Sequence, residues 1–144
     1  MSTTGYSDTP LAKKLGIKEG FKIRLENQPD HYFQLFTDMP HDVQLINDKK
    51  PKKNLIHYFT KESTYLRRDI ALLRSEIEPD GMIWISWPKK ASKVPTDITE
   101  DIIRELALSN GLVDVKVCAV DEVWSGLKLV IRVKERDEGV RDKA

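Results

Sequence analysis

Residues 82–87, Met-Ile-Trp-Ile-Ser-Trp, are apolar at every position but Ser86 and run directly into Pro88. A run this short does not make a globular helix. Its β-branched and aromatic content suits a pleated surface, so it reads as a central strand covered on both faces. Pro79-Asp80-Gly81 just ahead of it is a turn signal, because proline presets φ and glycine accepts the positive φ that closes such a turn. Pro88 offers no N–H to a neighbouring strand and ends the run. Trp84 and Trp87 fall on opposite faces, so at most one of the two rings can face a ligand and the other is core.

A strand buried on both faces needs a layer on each side, and the rest of the chain supplies both. Pro10 opens a short amphipathic turn, Leu11, Ala12 and Leu15, closed by Gly16. Residues 21–25 alternate apolar and basic side chains as a first strand, and Tyr32, Phe33, Leu35 and Phe36 make a short apolar helix over 31–36. Strands are expected at 43–46 and 55–59, separated by the basic loop Lys49, Lys50, Pro51, Lys52 and Lys53. The spacing of Leu66, Ile70, Leu73 and Ile77 predicts a long helix over 61–77. A second runs over 97–109, with Ile98, Ile102, Ile103 and Leu106 inward, and Asn110-Gly111 stops it. Asp97 and Glu100 have capping-box-like spacing at its start. Strands at 112–120 and 127–133 follow, and the link between them is too short for a helical crossover, so any direct pairing is antiparallel.

This order predicts an α/β fold: one three-layer Rossmann-like sandwich over residues 10–133, with a mostly parallel sheet of about six strands and a C-terminal antiparallel edge hairpin. Residues 1–9 are expected to form a mobile arm and 134–144 a charged, disordered tail. With the first five strands parallel, the exits at 26–30, 59–60, 87–90 and 121–125 are expected on one edge of the sheet, where ligands bind in such folds.

Composition narrows the partners. With 24 Lys and Arg against 23 Asp and Glu, the net charge of +1 gives no global field for DNA, RNA or an acidic membrane, so anion recognition has to be local. The loop at 49–53 is the only basic cluster that hints at nucleic acid; it lacks interleaved aromatics and reads as a solvated turn. One cysteine, Cys118, allows no intramolecular disulfide, and His31, His41 and His57 are scattered without ligand spacing, so no metal site is expected. His57 reads as a core or interface histidine. No signal pattern and no apolar run near the roughly 20 residues of a membrane span are present, which fits a soluble cytoplasmic protein. The GxSxG elbow, the P-loop and HExxH are absent too, leaving no recognisable catalytic set.

Three groups of residues are candidates for ligand contact. Lys89, Lys90, Ser92, Thr96, Asp97 and Thr99 place cations and hydroxyls beside a helix start, a setting that suits phosphate or carboxylate. The plainer account is a solvated lysine pair with Thr96 or Asp97 capping the helix. Asp121, Glu122, Trp124 and Ser125 offer a ring to stack on and carboxylates for hydroxyls or an amine, or else a Trp lid over ordinary turn residues. Glu26, Asn27 and Asp30 stand at the exit of the first strand, where a simple turn is the alternative.

The segments IEPDGMIWISWPKK, then a helix, NGLVDVKV and a closing antiparallel hairpin, stand in an order that resembles a shortened class I methyltransferase-like Rossmann fold. More closely, LGIKEGFKIRLENQP, IHYF, WPKKASKVPTDIT and AVDEVWSGLKL resemble an uncharacterised bacterial domain-of-unknown-function family over residues 10–132. The resemblance implies the fold and brings S-adenosylmethionine into view as a cofactor. The first strand nevertheless exits through LENQPDHY, without the glycine-rich cofactor motif, and Asp48 is the only acidic remnant after the second strand. The leading expectation is therefore a module that binds a small anionic ligand or a protein at the carboxyl edge. A methyltransferase-type enzyme holding its cofactor in an unconventional way is the alternative. A third reading is a structural homodimer paired through an edge strand bearing Leu127, Leu129, Ile131 and Val133.

Overall fold

The computed structural model of the protein describes residues 9–136. The arm and tail expected to lack structure fall mostly outside this range. Within it, residues 133–136 form a helical turn in which the N–H groups of Glu135 and Arg136 reach the carbonyl of Arg132.

The chain forms α1 (Leu11–Leu15), β1 (Lys22–Glu26), β2 (Gln44–Leu45), β3 (Lys53–Phe59), α2 (Ser63–Ser75), β4 (Ile77–Pro88), α3 (Glu100–Ser109), β5 (Leu112–Ala119) and β6 (Trp124–Ile131). The apolar segment after β1 is a short 3-10 turn, Tyr32–Leu35, and a second one spans Lys90–Ser92. The six strands form one sheet in the order β2-β1-β3-β4-β6-β5. β1 to β4 pair in parallel, and β6 is antiparallel to both β4 and β5. The first five strands thus share one direction, as expected for a Rossmann-like α/β fold.

Each face of the sheet has its own layer. Leu66, Ile70 and Leu73 of α2 and Ile103 and Ala107 of α3 pack on Ile56, Ile83, Ile85, Leu127 and Leu129. On the opposite face Leu11, Ala12 and Leu15 of α1 pack on Ile23, Leu55 and Trp84. Trp84 and Trp87 do lie on opposite faces, but both rings are core. The buried indole N–H of Trp84 donates to the carbonyl of Leu15 at 2.9 Å, which ties α1 to the central strand.

Three expectations are corrected. β6 is not an edge strand: β4 and β5 occupy its two sides, and Leu127, Leu129 and Ile131 are core residues, so this strand cannot pair with a second copy. β4 begins at Ile77, ahead of the turn signal. Between 53 and 55 β3 advances two positions while β4 advances five, from 77 to 82, so Pro79-Asp80-Gly81 makes a bulge inside the strand. A Cβ on Gly81 would stand 3.0 Å from the carbonyl oxygen of Glu78, which shows how tightly the backbone folds there. Third, Lys53 does not belong to a solvated loop. It opens β3 with no exposed surface, and its ammonium lies 3.2 Å from Oε1 of Glu76, the same oxygen that Arg24 holds at 2.6 Å. Lys49, Lys50 and Lys52 remain exposed.

Candidate functional site

The strand exits do gather. The amide of Asn27, after β1, donates to the carbonyl of Phe59 at the end of β3 at 3.3 Å. The N–H of Thr60 reaches Ser86 of β4 at 3.0 Å, and that of Lys89 reaches Val123, between β5 and β6, at 2.8 Å. The ring of His31 meets Asp121 at 3.0 Å, joining the loop after β1 to the loop after β5. Lys89 and Trp124 accordingly share one rim, with Pro88 paired directly to Trp124. This follows from five strands pointing the same way.

The polar residues after β4, however, serve the protein itself. The Ser92 hydroxyl donates to the Lys89 carbonyl at 2.7 Å and accepts the Val94 N–H at 3.2 Å. Thr96 donates to the carbonyl of Lys61 at 2.6 Å. Asp97 does not cap α3. Its carboxylate takes the N–H and hydroxyl of Ser63 at 2.7 and 2.8 Å, closing the start of α2 instead. The Ser63 N–H, followed by its hydroxyl, holds the Asp97 carboxyl below the usual aspartate range. α3 starts later than expected, and Thr99 is its cap, accepting the N–H of Ile102 at 3.2 Å. Each helix start thus has a side-chain oxygen on one of its N–H groups, and Lys90 stands exposed in the short turn beyond β4.

Of the acidic candidates, Glu26 pairs with Arg24 at 2.8 Å. Asp121 closes its own turn by accepting the N–H groups of Val123 and Trp124 at 2.8 and 2.7 Å. Ser125 lines a separate groove near Lys14 and Lys116.

What the rim does offer is a cleft of about 300 Å³ between the ends of β1, β3 and β6 and the start of α2. Asn27 and Trp124, both sequence candidates, line it together with Thr60, Lys61, Glu62 and Tyr65. Asn27 adopts a left-handed backbone, φ 60°, so the turn that glycine commonly makes is made here by an asparagine whose side chain stays in the cleft. Lys61 and Glu62 fall within the helix expected over 61–77, but α2 starts at Ser63, which leaves residues 60–62 as strand exit and puts Tyr65 in the first turn of α2. The exit at 59–60, already expected on this rim, was the signal that pointed to them.

Beneath the cleft lies a buried polar chain. The Tyr32 hydroxyl is 3.0 Å from Nδ1 of His57, and Nε2 of the same ring is 2.8 Å from Oγ of Ser86. His57 has no exposed surface, and burial lowers its pKa to about 3, so the ring is neutral and donates through one nitrogen while accepting through the other. The ring stacks on Phe59 at 4.2 Å, and Phe59 meets Trp124 edge-on at 5.1 Å. The floor of the cleft is thereby fixed by hydrogen bonds across β3 and β4. A group held neutral this strongly suits the role of structural joint and not that of proton shuttle near neutral pH. Among the described residues no cluster of His, Cys, Asp or Glu has metal-binding geometry, and no helix is long and apolar enough to cross a membrane.

No family model matches the sequence, and no curated protein matches it. Solved structures match by fold. A SAM-dependent methyltransferase from Thiobacillus denitrificans in complex with S-adenosyl-L-homocysteine is similar with a TM-score of 0.57 and 12% identity, over 90% of this chain and 93% of that one. Ribosomal protein L11 methylase from Lactobacillus delbrueckii subsp. bulgaricus is similar with a TM-score of 0.55 and 12% identity, over 83% and 73% of the two chains. Magnesium protoporphyrin IX methyltransferase from Synechocystis PCC 6803, with bound SAM, gives 0.53 and 10%, over 84% and 74%. At such identities the likeness speaks for the architecture.

Proposed function

We propose, for a chain whose fold is that of SAM-dependent methyltransferases of known structure, that it is a small-ligand-binding Rossmann-like module with its site in the carboxyl-rim cleft. One observation carries this reading: the cleft is lined by two aromatic residues, Trp124 and Tyr65, together with the polar Asn27 and Thr60 and the charged Lys61 and Glu62. That combination suits a flat ring joined to an anionic group, with Lys61 in the role expected of Lys89 and Lys90.

A second reading is S-adenosylmethionine-dependent methyl transfer. Fold likeness favours it, together with Glu62, a carboxylate in the cleft able to accept ribose hydroxyls. Asp48, by contrast, does not line the cleft. The cofactor, if bound, brings the reactive methyl group, and the part left to this chain is to hold its ring and its charged ends.

A thermal-shift series separates the two. Adenosine 5′-monophosphate, S-adenosylmethionine and S-adenosylhomocysteine are compared; a ligand at a hundred times its Kd stabilises a fold by about 2.7 kcal/mol. The binding-module reading expects the phosphate compound to raise the melting temperature and Tyr65→Ala or Lys61→Gln to remove the rise. A response confined to the two adenosyl compounds favours the second reading. If no compound responds, or responses survive both substitutions, the rim cleft is not the site.

A further inference from the structure

On the opposite side of the sheet edge from α2 and α3, a groove of about 620 Å³ runs between α1 and the strands β5 and β6. Lys13 and Lys14 of α1 and Lys116 of β5 line it, together with Cys118 and Ser125. Lys116 stands directly opposite Lys128 of β6 in the strand register, at the point where the pairing of β5 with β6 slips. Like charges facing each other across two strands are destabilising, so the sheet carries a repulsion here. The ion pairs among the described residues include none of these four lysines. Asp38, from the loop after β1, accepts the N–H groups of Ala12 and Lys13 in α1, each at 3.2 Å. Burial, then Lys116 and Lys18, lower the pKa of Lys128, which agrees with an uncompensated positive field.

We propose that this groove is a second binding site, for a small ligand carrying several clustered phosphates, held by Lys13, Lys14 and Lys116. Cations from α1 and β5 line one concave surface, with Lys128 of β6 opposite Lys116, and an anion of high charge relieves the repulsion among them as it binds. No aromatic ring lines the groove, so it reads charge and not a base. Lysines act as point charges without the fork of arginine, which fits flexible polyphosphate better than a planar carboxylate.

The probe is inorganic tripolyphosphate, titrated calorimetrically at constant ionic strength set with potassium chloride. Saturable binding is expected. Lys14→Gln with Lys116→Gln should weaken it at least tenfold, while Lys61→Gln at the rim leaves it unchanged. Lys116→Gln by itself should raise the melting temperature of the ligand-free protein, a readout that also shows the variant to be folded. Absence of saturable binding, binding unaffected by the double substitution, or binding lost with Lys61→Gln overturns the proposal. A ten-nucleotide single-stranded RNA is the comparison arm. Lysine-dependent binding of the RNA without a response to tripolyphosphate would assign the groove to a nucleic-acid backbone and overturn the small-ligand proposal.

Discussion

Asp97 caps a helix to which it does not belong: its two carboxylate oxygens hold the main-chain N–H and the hydroxyl of Ser63, 34 residues earlier in the chain. The loop after β4 is thereby fastened to the start of α2.

Asp97→Ala should lower the urea midpoint, and Asp97→Asn should lower it much less because an amide oxygen still accepts a hydrogen bond. Asp97 has a lowered pKa in the folded protein, so its contribution is complete above the unfolded aspartate pKa and fades as pH falls through the folded one. The difference between wild type and Asp97→Ala should therefore shrink in acid. Thr99→Ala, which removes the cap of α3, should cost about 1 kcal/mol whatever the pH.

His57 sets a different acid limit. Its pKa is 6.5 as a free side chain and about 3 in the core, so protons bind the unfolded chain first. Its share of stability is complete above pH 6.5 and is lost as pH falls from there towards 3, at up to about 1.4 kcal/mol per pH unit. Denaturation measured between pH 7 and 4.5 should show this slope in the wild type and a clearly shallower one in His57→Gln. Equal slopes would mean that the ring is not buried neutral.

Glu76 is the shared partner of Arg24 and of the fully buried Lys53. Glu76→Ala leaves an ammonium without a counter-charge in the interior and should cost about 3–5 kcal/mol, whereas Lys53→Met combined with Glu76→Gln should cost much less. Similar losses for the single and the double variant would indicate packing, not charge, at this position.

Gly126 of β6 faces Trp84 of β4, and a Cβ there would lie 3.0 Å from the indole carbon Cε3 and 3.4 Å from Oγ of Ser86. Gly126→Ala should cost about 1–3 kcal/mol through overpacking of a fully buried ring. A shift in tryptophan fluorescence at unchanged secondary structure is the accompanying sign.

The architecture was legible because residues 82–87 and the periodic helix around Leu66 and Ile70 are long-range demands written locally: a run buried on both faces needs two covering layers. The direct partners of single side chains were not. Asp97 sits at a spacing from Glu100 that suits a local cap, yet Ser63 outcompetes it from a distance, and no pattern along the chain encodes that choice. Lys53 likewise looks like the last lysine of a basic loop, because only the fold brings Glu76 to it. The position of β6 between β4 and β5 escaped for the same reason: a short link fixes antiparallel pairing but not which strand lies on the other side.

That placement of β6 has a bearing on how the protein is made. A ribosome that has released everything up to the loop before Trp124 has delivered four strands able to assemble in parallel, while β5, already synthesised, has nothing to attach to until its later neighbour emerges. The exposed flank of β4 stays open for the same interval. Stalling or truncation in that window would release a nascent chain with an unfinished apolar border, and its rescue falls to whatever shields such surfaces in the cell.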